Sequence, residues 1–180
     1  MRYHASPAKG LKTIDHLPVY ASSKRENVLV YLSDPVGRYC REHGFSYEGQ
    51  AAKWGTYGFD QEGILVYEEY YPGAFEKEFR GVSGSIYTLE EEGFEEYPFI
   101  RDVHVSMTGK RVLNEEFVED IYEEMRKASE EGKIRICFYE ELSDQRKKQI
   151  RETVLKEYEE ASGHPEYRFF LQGTFPELFE

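Results

Sequence analysis

The hydrophobic period of this 180-residue chain changes near Asn114, and that change limits the folds open to it. Before Asn114, short runs rich in Val, Ile and Tyr are separated by glycines and turn residues, as in strands joined by short loops. After it, apolar residues recur at three and four positions, as on the buried stripe of a helix. The pattern predicts strands over 19–22, 63–70, 82–89 and 102–107, and a helix over 23–33. Pro35 is suited to the first turn of another helix, where its missing N–H is not needed. Asn114 is a good N-cap for a helix ending at Gly132, with Phe117, Ile121, Met125 and Ala128 inward. A half-buried strand over 133–139 follows, and Ser143 caps a second long helix. The inner face of that helix is Ile150, Val154, Tyr158 and Ala161, before Gly163 and Pro165 end it. Strands first and helices later, without regular alternation, give an α+β class rather than a doubly wound sheet.

A chain of this length is expected to form one domain, and no repeat or low-complexity linker divides it. Its 15 Tyr and 12 Phe supply enough apolar surface to offset ordering entropy, which argues against disorder. The net charge of −12 repels a polyphosphate backbone, so nucleic acid is a disfavoured partner and a small-molecule nucleotide or a protein acceptor is preferred. Arg146-Lys147-Lys148, with Arg151 one turn on, reads as the solvated face of a helix with mixed charge. Cys40 and Cys137 are too few for a disulfide framework or a cysteine-based zinc site. The first twenty residues lack an apolar run and no stretch is long enough to span a bilayer. A cytoplasmic, membrane-free protein is therefore the expectation.

Two early segments carry the strongest functional signal. The first is Tyr3-His4-Ala5-Ser6-Pro7; the second is Tyr20-Ala21-Ser22-Ser23-Lys24, with Tyr31 eleven positions after Tyr20. Together they resemble the first two signatures of the ADP-ribosyltransferase superfamily, which contains the poly(ADP-ribose) polymerases and the diphtheria-type toxins. The resemblance implies a mixed, mostly antiparallel split β-sheet with flanking helices, here followed by a helical C-terminal part. It also implies a cofactor, NAD, held by His4, Ala5, Ser6, Tyr20, Ala21, Ser22 and Tyr31, with Ala5 where the family has Gly. His4 would donate to a ribose hydroxyl, and Tyr20 and Tyr31 would flank the nicotinamide ring. The aromatic faces would support positive charge developing at the sugar.

The family's third signature is a Glu on a later strand, which binds a ribose hydroxyl and favours an oxocarbenium-like transition state. The strand that looks equivalent is Arg101-Asp102-Val103-His104-Val105-Ser106-Met107 and has no Glu. The catalytic candidates are therefore His4, Tyr20, Asp102 and His104, with Glu68, Glu69 and Glu90 on or beside other strands. Two outcomes stay open: a transferase that moves ADP-ribose to an unknown acceptor, or a catalytically inactive binding domain of the same fold.

Weaker signals are set aside on spacing. Thr108-Gly109-Lys110 lacks the upstream Gly and following Ser or Thr of a phosphate loop. Gly81-Val82-Ser83-Gly84 leads into a strand, which points to a bulge or a close chain approach. Cys40 and His43 are half of a metal site without the other half, and His16 and His164 lie beside proline turns. Trp54, Tyr57 and Phe59 among glycines are read as a loop that lines a pocket or covers an ordinary aromatic cluster.

Overall fold

A computed structural model describes residues 1–47 and 54–180. Among these residues the strands are β1 (Arg2–Ser6), β2 (Thr13–Ile14), β3 (Val19–Ala21), β4 (Tyr57–Phe59), β5 (Leu65–Glu68), β6 (Gly84–Leu89), β7 (Glu95–Glu96), β8 (His104–Ser106), β9 (Lys110–Val118) and β10 (Arg135–Cys137). The α-helices are α1 (Pro35–Glu42), α2 (Ala74–Phe79), α3 (Ile121–Glu130), α4 (Asp144–Glu160) and α5 (Pro165–Thr174). The fold is α+β, with mostly antiparallel sheets and a helical C-terminal part. The chain forms two compact units: Met1–Ser33, Tyr57–Tyr67 and Phe75–Ile136 make one, and Asp34–Thr56, Glu68–Ala74 and Cys137–Glu180 the other.

The first, strand-rich unit is organised around β6. Its neighbours are β1 and β9, both antiparallel, with His4 opposite Tyr87 and Tyr87 opposite Glu115. A central strand buries both faces, and Ile86, Tyr87 and Leu89 are at most 2% exposed. A second sheet runs β3-β8-β7, and the two sheets meet through reciprocal backbone hydrogen bonds between Tyr3 and Ser22 of 2.8 and 2.9 Å. That junction sets β1 beside β3. The main core packs Val28, Leu29, Leu65, Phe75, Phe79, Ile86, Ile121 and Met125, each such side chain contributing about 1.5–3 kcal/mol on burial.

Three sequence expectations change in this unit. Residues 110–118 form β9 rather than the start of a helix, and α3 is capped by Asp120, whose carboxylate accepts from the Tyr122 N–H at 3.0 Å. The strand's glutamates have tertiary partners: Glu115 accepts from the Gly10 N–H at 3.0 Å and the Ser85 hydroxyl at 2.7 Å. Glu116 is paired with Arg25. Propensity yields here to strand pairing and side-chain partners. Phe117 accordingly lies on a strand, 39% exposed, while Ile121, Met125 and Ala128 form the inward stripe. The segment 23–33 winds as a 3-10 helix over Arg25–Leu32, and the strand over 133–139 shortens to β10. Gly84 does mark a close approach, since a Cβ there would fall 2.5 Å from Leu32 Cδ2.

The second unit is helical. Asp34 caps α1 and Pro35 opens it; Ser143 caps α4 through a bond from the Arg146 N–H of 3.1 Å. Ile150, Val154 and Ala161 are buried as the period predicts. Helix α4 ends at Glu160, before Gly163 and Pro165 as expected, and Pro165 occupies the first turn of α5, a further helix that contributes Tyr167, Phe170 and Leu171 to this unit's core. Arg146 pairs with Glu68 at 2.6 Å, while Lys148 is solvated on the outer face of α4.

Candidate functional site

The site begins with the junction of β1 and β3. His4 is buried, and its Nδ1 lies 2.8 Å from the Tyr20 carbonyl oxygen. A carbonyl only accepts, so Nδ1 carries the proton. Burial, the largest influence, lowers the His4 pKa; the bond to Tyr20 opposes this, and His16, its ring 5.2 Å away, adds to the lowering. The ring is therefore neutral near pH 7 and Nε2 presents a lone pair. His4 thus offers an acceptor to a sugar hydroxyl, where the sequence suggested a donor.

Around this pair lies a cavity of about 350 Å³ lined by His4, Ala5, Tyr20, Val28, Tyr31, Tyr57, Tyr97, Ile100 and Val103. Four of the nine described residues that line it are tyrosines. Tyr20 and Tyr97 pack edge-to-face with ring centres 6.1 Å apart, and Tyr31 and Tyr57 do the same at 5.6 Å. Loss of solvation, then Tyr57 and Asp102, push the Tyr31 phenol up, so it remains a neutral donor. Ala5 lies in this wall, so its methyl replaces space that a glycine would leave open.

A second cavity, about 700 Å³, adjoins the first through the shared residues Tyr97, Ile100 and Val103. Its wall contains Asp102 and His104 together with Ser23, Lys24, Glu62, Gly63 and Glu96. Asp102 has a positive φ of 53° and accepts from four donors: the hydroxyls of Ser22 and Ser23, the Ser23 N–H at 3.1 Å and Asn27 Nδ2 at 2.6 Å. Burial alone would raise its pKa, but these donors outweigh that effect and hold it below the ordinary carboxylate value. Asp102 is charged, and its oxygens are committed. It serves as the centre of a structural node rather than as a free base. Asn27, fully buried, extends the node by donating to the Gly63 carbonyl at 2.7 Å and accepting from the Leu65 N–H at 3.1 Å.

His104 is 8% exposed and stands opposite Ala21 on β3 and Glu96 on β7. Burial depresses its pKa, Arg2 depresses it further, and Asp102, Glu96 and Glu91 oppose both. Its Nε2 is 3.9 Å from Asp102 Oδ1, beyond hydrogen-bond reach.

The chain matches no family model, no curated protein and no solved structure. The case for function therefore rests on geometry.

Of the residues singled out in the sequence, His4, Ala5, Tyr20 and Tyr31 line the aromatic cavity, and Asp102 and His104 the larger one. Ser6, Ala21 and Ser22 line neither. The Ser6 hydroxyl accepts from the Ala8 N–H at 3.2 Å, a turn contact, and Ser22 belongs to the Asp102 node. Glu68 is bound to Arg146, Glu69 accepts from the Tyr139 N–H at 3.0 Å, and Glu90 is paired with Arg111. None of the three lines either cavity. The aromatic trio separates: Tyr57 joins the cavity, whereas Trp54 packs on Tyr70, Phe170 and Phe175 in the helical unit. Tyr97 and Ile100 carried no signal in the sequence. They enter through a loop closed by the Tyr97 N–H on the Val103 carbonyl at 2.8 Å.

No group of three His, Cys, Asp or Glu side chains suited to a metal ion occurs among the described residues. Cys40 is buried in α1, and His43, its C-cap, stacks on Tyr39 with ring centres 4.0 Å apart. No described helix is long and apolar enough to cross a membrane.

Proposed function

We propose that the protein binds NAD, with the nicotinamide ring between Tyr20 and Tyr31 and a ribose hydroxyl donating to His4 Nε2. The observation that carries this reading is the convergence of His4, Tyr20 and Tyr31 on one cavity, with His4 fixed to the Tyr20 carbonyl. A flat aromatic ring suits walls made of tyrosine faces, and a neutral imidazole suits a hydroxyl better than a phosphate. The residues present fit the nucleoside end of the cofactor. NAD would supply a sugar carbon activated by a cationic leaving group, from which ADP-ribose passes to an acceptor and nicotinamide departs. The chain's own part is to orient the ring, exclude water from its faces and stabilise positive charge at the sugar through the phenol rings.

A second reading, a binding domain without turnover, is favoured by a specific observation: among the described residues, no carboxylate lines the aromatic cavity. Asp102, the acid nearest in sequence to the family's Glu, is engaged by four donors. The separating experiment incubates the folded protein with NAD labelled in the nicotinamide ring and follows both binding and nicotinamide release. Binding with release that is abolished by His4→Ala supports the transferase. Binding without release selects the inactive domain, and absence of binding at millimolar NAD contradicts both.

A further inference from the structure

The segment between β1 and β3 brings a second imidazole to His4. Its path is fixed at several points: the Gly10 N–H donates to Glu115 at 3.0 Å, the Tyr87 hydroxyl donates to the Ala8 carbonyl at 2.6 Å, and β2 pairs with β9. Ile14, 1% exposed, anchors the segment in a small core with Tyr87 and Leu89. His16, two residues on, is exposed and forms no hydrogen bond with a described residue. His4 is 9% exposed, its Nδ1–H is held by the Tyr20 carbonyl at 2.8 Å, and its Nε2 has no partner among the described residues. An imidazole with one nitrogen bound to a backbone carbonyl and the other bare is the form in which histidine ligates metal ions. The ring centres of His4 and His16 are 5.2 Å apart, with their planes inclined at 48°. With a metal–nitrogen bond of about 2.0–2.1 Å, an ion lies about 3.2 Å from each ring centre, and a tetrahedral angle of about 109° sets the two centres about 5.2 Å apart.

We propose that His4 and His16 form a two-histidine site for a divalent ion of the zinc class, with water in the remaining positions. Imidazole nitrogen suits zinc, copper and nickel, whereas magnesium and calcium take oxygen ligands. The chain's net charge of −12 favours a dication. With two ligands from the chain instead of four, the ion is exchangeable, unlike the ion of a closed structural zinc site. Coordination uses the His4 nitrogen to which the dinucleotide reading assigns a ribose hydroxyl. On that reading, which the metal site itself does not need, a bound ion excludes NAD and the histidine pair acts as a metal-sensitive brake.

The test uses the full chain, stripped of metal with a chelator and kept free of dinucleotide, with zinc ion alone as the probe. Calorimetry gives the stoichiometry, and the imidazole resonances of the five histidines report which of them take part. The expected result is one saturable ion per chain that perturbs His4 and His16 together and leaves His43, His104 and His164 in place. Magnesium at the same concentration perturbs neither. His16→Ala weakens zinc binding more than about tenfold, the least expected when even an outer partner of a metal ligand is lost, and His16→Cys, which supplies a thiolate, restores it. His16 is exposed, so its variants decide the matter if His4→Ala does not fold. No saturable binding, perturbation of His16 without His4, or affinity indifferent to His16→Ala overturns the proposal. The consequence for the dinucleotide is read separately: zinc lowers NAD affinity in the wild type and not in His16→Ala. Zinc bound with NAD affinity unchanged upholds the metal site and contradicts the ribose contact at His4, and failure to bind NAD at all leaves the zinc result intact.

Discussion

Tyr97, Ile100 and Val103 border both cavities of the strand-rich unit, and on either side of them the walls differ in kind. On the aromatic side, Tyr20 and Tyr31 are 48% and 43% exposed and pack edge-to-face with Tyr97 and Tyr57. Little of the fold depends on them. On the polar side, Asp102 gathers Ser22, Ser23 and Asn27, and Asn27 in turn reaches Gly63 and Leu65. Those residues come from three separate stretches of chain. One wall is therefore free to bind, while part of the other is already occupied in holding the loop of residues 97–103 in place. An acidic residue at a suggestive sequence position can be structural even when the cavity beside it is open.

The largest expected effect is on the polar side. Asn27→Ala removes a fully buried amide, takes one of four donors from the Asp102 carboxylate and leaves the Gly63 carbonyl and the Leu65 N–H without their Asn27 partner, at a cost of about 3 kcal/mol in urea unfolding. A loss below about 1 kcal/mol would show that the node is not structural. Gly63→Ala is next. Gly63 has φ of +70°, and an added Cβ would lie 3.2 Å from Asp102 Cβ and 3.1 Å from Lys24 Nζ, so about 1–2 kcal/mol is expected from the same unfolding curves.

Acid separates the buried histidines of both walls from Asp102, because the two kinds of group titrate in different ranges. His4 has a folded pKa below its ordinary 6.5, so the unfolded chain binds the proton more readily and stability falls as pH drops below 6.5. His104 acts in the same direction over the same range. Asp102 has a folded pKa below 3.8; its contribution is complete above 3.8 and is lost only as pH falls through the lower folded value. Thermal melts against pH should show two separate declines. His4→Gln should reduce the upper one and leave the lower one in place; a single decline unaffected by His4→Gln would contradict the assignment.

The smallest effect on stability belongs to the aromatic side. Tyr31→Ala should cost under about 1 kcal/mol, since the side chain is half exposed, yet weaken NAD binding roughly tenfold or more through lost ring stacking. A large stability loss with unchanged ligand affinity would reverse the comparison between the two walls.

The legible parts of the fold were those decided locally. The stripe Ile121, Met125 and Ala128 and the Ser143 cap depend on residues a turn apart, and both are present. The extent of β9 was not legible because Asn114 and the spacing of Phe117 and Ile121 fit a helix, and the partners Gly10, Ser85 and Arg25 reach the strand's glutamates from distant positions. The same distinction governs the site. His4, Tyr20 and Tyr31 lie on neighbouring segments with a recognisable spacing, whereas Tyr57, Tyr97 and Ile100 reach the cavity only through tertiary folding. The role of Asp102 was hidden for the same reason, since its donors lie 75 to 80 residues earlier in the chain.

The central claim is that the Tyr20 and Tyr31 rings enclose the nicotinamide end of NAD. Saturation-transfer NMR tests it directly by irradiating the protein in the presence of NAD and comparing the ligand's protons. The expected pattern is strong transfer to the nicotinamide protons that disappears in Tyr20→Ala/Tyr31→Ala while the variant remains folded. Equal transfer in the double variant, or none to nicotinamide in the wild type, would contradict the account.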